Sequence, residues 1–149
     1  MKIPKSAHTK SKYTPDSNAM FKPGGYHMML DLWLKNDQMN SLNLVKWREL
    51  MKEMCRVAEL EVVGEVSHVF SDNPNDPALT LLMLLAQSHA SVHTWPESGY
   101  VSLDFYTCRP EEPDSEALMA LVKTHVKPYH YTFGLLRRGI FPVWLSEQI

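Results

Sequence analysis

Three residues in the second half of the chain are of types that do covalent chemistry together. Ser88 and His93 lie five residues apart in the run QSHASVHTWPE (87–97), ahead of a Trp-Pro turn, and Cys108 closes the next strand-like run. A hydroxyl, an imidazole and a thiol can serve as nucleophile, base and acid. Taken singly, each also has an ordinary reading. A serine on a strand satisfies its hydroxyl locally, a lone histidine is a structural residue, and a strand-end cysteine behaves as a small hydrophobe. A Ser-His hydrolase is a sharper alternative, but the chain has no GxSxG elbow and no evident third member to orient the histidine. A metal site is not indicated: His68, His89, His93, His125 and His130 have no ligand-like spacing, and the two cysteines form no CxxC pair.

The elements that must position these residues follow from periodicity. YHMMLDLWL (26–34) reads as a strand, and Asn36 to Asn43 as a turn and helix entry. Val45, Trp47, Leu50, Met51, Met54, Val57 and Ala58 recur at helical steps and form one apolar stripe. EVVGEVSHVF (61–70) is β-rich, SDNPNDP (71–77) is a loop by turn chemistry, and ALTLLMLLA (78–86) reads as a strand buried on both faces, or nearly so. HASVHTW (89–95) and GYVSLDFYTC (99–108) alternate. Asp114 caps a helix with the stripe Leu118, Leu121, Val122 and Val126, and KPYHYTFGLL (127–136) is a last strand. The order β-α-β-β-β-β-α-β with short loops predicts an α+β fold: a two-layer α/β sandwich, a mainly antiparallel sheet with two helices on one face.

The bulk composition sets bounds. A chain of 149 residues with 44% hydrophobic and 21% charged residues makes one globular domain. Residues 1–24, polar and carrying Pro4, Pro15 and Pro23, read as a flexible N-terminal extension, which leaves 25–149 as the domain. A net charge of −2 gives no reason to expect a nucleic-acid partner. No apolar run approaches the ~18 residues a membrane span requires, and the N-terminal lysines precede no apolar signal segment. Two cysteines build no disulfide framework, which fits a reducing, cytoplasmic setting.

Taken together, the polar residues carry a longer pattern: Ser88-His89, His93-Thr94-Trp95-Pro96-Glu97, Gly99-Tyr100 and Tyr106-Thr107-Cys108. This segment resembles the self-processing core of the bacterial and archaeal S-adenosylmethionine decarboxylases, a pyruvoyl-dependent family, and the element order extends the resemblance over about residues 24–140. The resemblance implies self-cleavage between Gln87 and Ser88. Ser88 would become the covalent pyruvoyl cofactor that forms a Schiff base with substrate. His93 would assist processing, Thr80 falls where the family has a helpful serine, and Cys108 would return a proton to the substrate. For S-adenosylmethionine, Phe70 would stack on adenine, Glu97 would bind the ribose hydroxyls, and Trp95 would form a pocket wall. The product would supply aminopropyl groups for polyamine (spermidine) biosynthesis, and the assembly would be a homodimer of processed αβ units.

The chain departs from the family pattern at several positions. Gln87 replaces the usual glutamate before the cleaved bond, Ala90 a leucine, and Arg109 a glycine, and the loop at 71–77 is longer. Two alternatives stand beside the leading one: a pyruvoyl-dependent ornithine or arginine decarboxylase on the same scaffold, or an uncleaved, inactive regulatory relative. One geometric requirement accompanies all of them. Residues separated by an odd number face opposite sides of a regular strand, so the chain is expected to bulge between Ser88 and His93, or to hold Ser88 off the strand.

Overall fold

The computed structural model describes residues 24–139. The expected extension therefore lies outside the described residues, apart from Gly24. Within them the chain runs β1 (Gly25–Trp33), α1 (Asn36–Asn40), α2 (Leu44–Val57), β2 (Val62–Val69), β3 (Leu79–Leu85), β4 (Ser88–Trp95), β5 (Tyr100–Thr107), α3 (Ser115–His125) and β6 (His130–Arg138), with a short 3-10 turn at Pro96–Ser98. The expected order holds; the helix entry at 36–43 contains a separate five-residue helix, α1.

The strands form one sheet in the order β2-β3-β4-β5-β1-β6, and every neighbouring pair is antiparallel. Local chemistry sets the helix starts. The Asn43 carboxamide oxygen accepts the Lys46 N–H at 3.2 Å, and Asp114 accepts the Ala117 N–H at 2.9 Å, so each side chain satisfies one orphan donor. The stripes of α2 and α3 then lie on one face of the sheet. Trp47, Leu50, Met51 and Met54 of α2 and Leu118 and Val122 of α3 are buried in one cluster with Met28, Leu30, Leu32, Leu81, Met83, Val92, Leu103 and Phe105.

Among the described residues the opposite face carries no helix, and this corrects one expectation. β3 is not buried on both sides. Leu79, Leu81, Met83 and Leu85 are buried, whereas Leu82 and Leu84 are 39% and 60% exposed. Leucine on both faces erases the hydropathy alternation that a one-sided strand normally displays, so the pattern imitates a strand covered by two layers. Val66, Leu82, Leu84, Trp95, Met29 and Leu136 make this uncovered face unusually apolar.

Candidate active site

β4 is regular. It pairs residue by residue with β3 from Leu85↔Ser88 to Thr80↔His93 and with β5 from His89↔Tyr106 to Trp95↔Tyr100. The expected bulge between Ser88 and His93 is absent, and Ser88 lies on the strand. The two residues consequently point to opposite faces and stand about 17 Å apart along the chain. Two groups of residues result, one at each end of the sheet.

The first group surrounds the hairpin tip. Ala86 and Gln87 form a two-residue turn between β3 and β4, and neither has the positive φ of the turns that match strand twist. The Gln87–Ser88 bond leaves this turn. Ser88 Oγ is buried and has no hydrogen-bond partner among the described residues, a condition it shares there only with Trp47 Nε1. Buried hydroxyls almost always have a partner, so this one needs a reason. One step beyond the pair His89↔Tyr106, β5 ends and the exposed Cys108 follows. A Cβ at Gly25, whose φ is +156°, would fall 1.9 Å from Thr107 O and 2.9 Å from the Cys108 Cα, so only glycine lets β1 close on this corner. A hydrogen bond between the Tyr106 and Cys108 side chains, with burial second, raises the Tyr106 pKa.

The second group lies on the uncovered face toward the other end. Thr80 Oγ1 and His93 Nδ1 share a hydrogen bond of 3.0 Å across the β3–β4 pair. Thr94 clamps the 71–77 loop to β4: its hydroxyl accepts the Leu79 N–H at 2.8 Å and donates to the Pro77 carbonyl at 2.5 Å. The loop is further held by Asp76, which accepts from the Ser71 hydroxyl at 2.6 Å and the Ala78 N–H at 2.8 Å. The Phe70 N–H in turn donates to the Ala78 carbonyl at 3.0 Å, leaving the Phe70 ring 64% exposed and edge-on to His68. Trp95 is 41% exposed and stacks on Tyr100 with ring centroids 5.1 Å apart, and Glu97 is exposed in the 3-10 turn that follows.

Between the groups runs a polar network that the linear pattern did not identify. The Tyr100 hydroxyl donates to Asp31 at 2.5 Å, and the Thr132 hydroxyl donates to the same carboxylate at 3.0 Å. The bond to Asp31, and burial after it, push the Tyr100 pKa up to about 12. His27 Nε2 lies 2.9 Å from Asp104. The strict alternation of β5, which sends Tyr100, Ser102, Asp104 and Tyr106 to one face, was the available signal. Among the described residues, no group of three or more His, Cys, Asp or Glu side chains is placed to hold a metal ion. No helix among them is long and apolar enough to cross a membrane.

A family model described as S-adenosylmethionine decarboxylase matches residues 26–139, which takes in both groups. The chain belongs to the S-adenosylmethionine decarboxylase family. Its members are carboxy-lyases, and this membership bears out the expected fold and enzyme class. The chain is 34% identical over 125 residues to the S-adenosylmethionine decarboxylase proenzyme of Sulfurihydrogenibium sp., covering 83% of this chain and 89% of that one. It is also 34% identical over 115 residues to the proenzyme of Archaeoglobus fulgidus, covering 77% and 97%. The crystal structure of the adenosylmethionine decarboxylase from Aquifex aeolicus superposes with a TM-score of 0.64 at 29% identity, covering 83% of this chain and 97% of that one. The relatives are named proenzymes, which is the form a self-processed family takes.

Proposed function

We propose that this chain cleaves itself between Gln87 and Ser88 and then decarboxylates S-adenosylmethionine. The observation that carries the reading is the buried Ser88 hydroxyl without a partner, next to the bond it would attack. A hydroxyl with no competing hydrogen bond is free to add to the Gln87 carbonyl. The C–N bond breaks as the C–O ester forms, which leaves the Ser88 nitrogen as a free amine. Removal of the Ser88 α-proton expels the Gln87 carboxylate. The resulting dehydroalanine takes up water and loses ammonia, leaving a ketone at the head of residues 88–149 and an ordinary carboxyl terminus at residue 87. Gln87 contributes only its backbone carbonyl, so an amide there in place of a carboxylate leaves the balance intact.

The residues present fit such a group. The ketone, once formed, supplies an electron sink for the loss of CO₂. Cys108, exposed at the same corner of the sheet, holds a proton on Sγ for return to the α-carbon. Thr80 Oγ1 orients the His93 ring through its Nδ1, which presents Nε2 as the proton acceptor during processing. Phe70 and Trp95 offer exposed rings for adenine, and Glu97 offers a carboxylate for two ribose hydroxyls. The product is the aminopropyl donor of polyamine synthesis. Both cysteines are free thiols, which agrees with a reducing compartment such as the cytoplasm.

The separation of the two groups supports a homodimer in which each site is shared. Ser88 and the His93 of its own chain face opposite sides of a regular strand, about 17 Å apart, whereas proton transfer requires hydrogen-bond reach. Packing two uncovered apolar faces about a two-fold axis would set the Ser88–Cys108 corner of one copy against the Thr80–His93 end of the other. The acyl shift replaces the Gln87–Ser88 amide by an ester and releases the Ser88 nitrogen from the strand backbone, so residue 88 can turn toward that face before the elimination that His93 assists.

Intact-mass measurement tests the processing: wild type is expected as two fragments and Ser88→Ala as one chain of 17.2 kDa. Normal cleavage of Ser88→Ala overturns the site. Carbon dioxide release from S-adenosylmethionine, and none from ornithine or arginine, tests the substrate. Coexpression of Ser88→Ala with His93→Ala tests the sharing. If sites are shared, His93→Ala chains are cleaved in the mixed dimer; if they lie within one chain, neither variant is.

A further inference from the structure

We propose that Arg138 binds the α-carboxylate of the substrate beside Cys108, and so selects amino-acid ligands that carry a free carboxylate. This rests on the decarboxylase reading above and assigns the end of the substrate that the nucleoside contacts leave open. Arg138 pairs with Gly25 across β6 and β1, and Gly25 in turn abuts the Cys108 backbone. Glycine at that position leaves a lane without side chains across β1. The Arg138 side chain crosses it, and its guanidinium carbon lies 4.8 Å from the Tyr106 ring centroid on β5. Tyr106 is itself held between His27 and His89, with ring centroids 5.7 and 5.6 Å away. The backbone is anchored too: a Cβ at Gly24 would meet the Arg138 carbonyl oxygen at 2.7 Å.

The charge state suits the task. Among the described residues Arg48, Arg56 and Arg109 each pair with a glutamate, whereas Arg137 and Arg138 pair with no carboxylate; Arg137 lies over Tyr26, and Arg138 is the one that reaches Tyr106 on β5. A ring face holds the cation in place without consuming its donors. The guanidinium fork matches a carboxylate in geometry as well as charge.

Reaction geometry places the carboxylate at this corner. Cys108 must reach the substrate α-carbon to return its proton, and the departing carboxylate is bonded to that same carbon. The exposure of Arg138 also matters. A solvated ion pair holds the carboxylate without the deep ground-state stabilisation that would oppose its loss as CO₂. Arg138 therefore contributes mainly ground-state binding that weakens as the charge leaves the carboxylate, so its loss appears in KM and does not lower kcat.

The test compares processed wild type, Arg138→Gln and Arg138→Lys. KM and kcat are measured by CO₂ release from S-adenosylmethionine, and calorimetry gives the dissociation constant of its methyl ester, which lacks the carboxylate charge. Arg138→Gln is expected to raise KM about tenfold or more, with kcat within about twofold, and Arg138→Lys to fall between. The ester is expected to bind all three proteins equally. An unchanged KM in Arg138→Gln, a loss of kcat at constant KM, or an equal loss of ester affinity overturns the proposal. If wild type releases no CO₂ from S-adenosylmethionine, the decarboxylase reading itself fails and the carboxylate assignment with it. If wild type is active and Arg138→Gln keeps its KM, only the assignment fails.

Discussion

At Ser88 a hydroxyl is buried without a partner, which costs about 1–3 kcal/mol, and the residue stands at the head of a strand beside an exposed thiol. The two cysteines show how environment divides one residue type. Burial in the α2 stripe pushes the Cys55 thiol up to about 11, while Cys108 lies open at the strand end. Iodoacetamide at pH 8 is expected to alkylate Cys108 and spare Cys55, as peptide mapping would show; equal labelling contradicts the assigned environments. Cys108→Ala is expected to cleave normally yet lose about 100-fold or more in kcat, as for loss of a proton donor, and turnover at the wild-type rate removes Cys108 from that role. Tyr100 allows a pH test whose sign is fixed. Its folded pKa, about 12, lies above the ordinary 10.0, so the protonated form is favoured by folding. That stabilisation is complete below pH 10 and is lost as pH rises toward 12. Asp31→Asn removes the first cause, so tyrosinate absorbance is expected to show one tyrosine titrating nearer pH 10. An unchanged titration curve contradicts the bond.

The elements position these residues through a few close approaches that regular strands and helices do not supply. At Gly99 the chain leaves the 3-10 turn with φ +60°, and a Cβ there would fall 2.5 Å from the Leu34 carbonyl oxygen. The same residue's carbonyl accepts the Leu34 N–H at 2.8 Å, tying the turn after His93-Thr94-Trp95 to the end of β1. Gly99→Ala is expected to destabilise the fold by about 1–3 kcal/mol, from left-handed strain and the clash. Urea unfolding measures this, and an unchanged midpoint would show that the turn can relax. β3 is the element whose reading changed. Its alternation became visible only once helices were seen on one side, because leucine serves equally well in a core and in an interface between copies.

Across the whole molecule, the uncovered face ties assembly to chemistry. Leu84 is 60% exposed in the single chain yet shares that face with Leu82, Val66 and Trp95. Leu84→Asp places a charge where two faces would meet and leaves the helix-side core untouched. It is expected to produce a folded monomer by light scattering that stays uncleaved. A monomer that still cleaves itself rules out the shared site, and a dimer that persists places the interface elsewhere.

The sequence by itself determined the element order, the cap at Asp114, the family, and the spacing of Ser88, His93 and Cys108. All of these are written in local periodicity or in one continuous motif. It also stated a correct constraint, that Ser88 and His93 face opposite ways on a regular strand, but favoured the wrong escape from it. Only the tertiary structure decided that β4 stays regular, that Thr80 meets His93, that Asp31 receives Tyr100 and Thr132, and that Arg138 crosses Gly25 to reach Tyr106. Those contacts depend on strand order and register, which join residues far apart in the chain. Side-chain alternation reports which residues share a face, and it cannot report which strand lies alongside or which face remains bare.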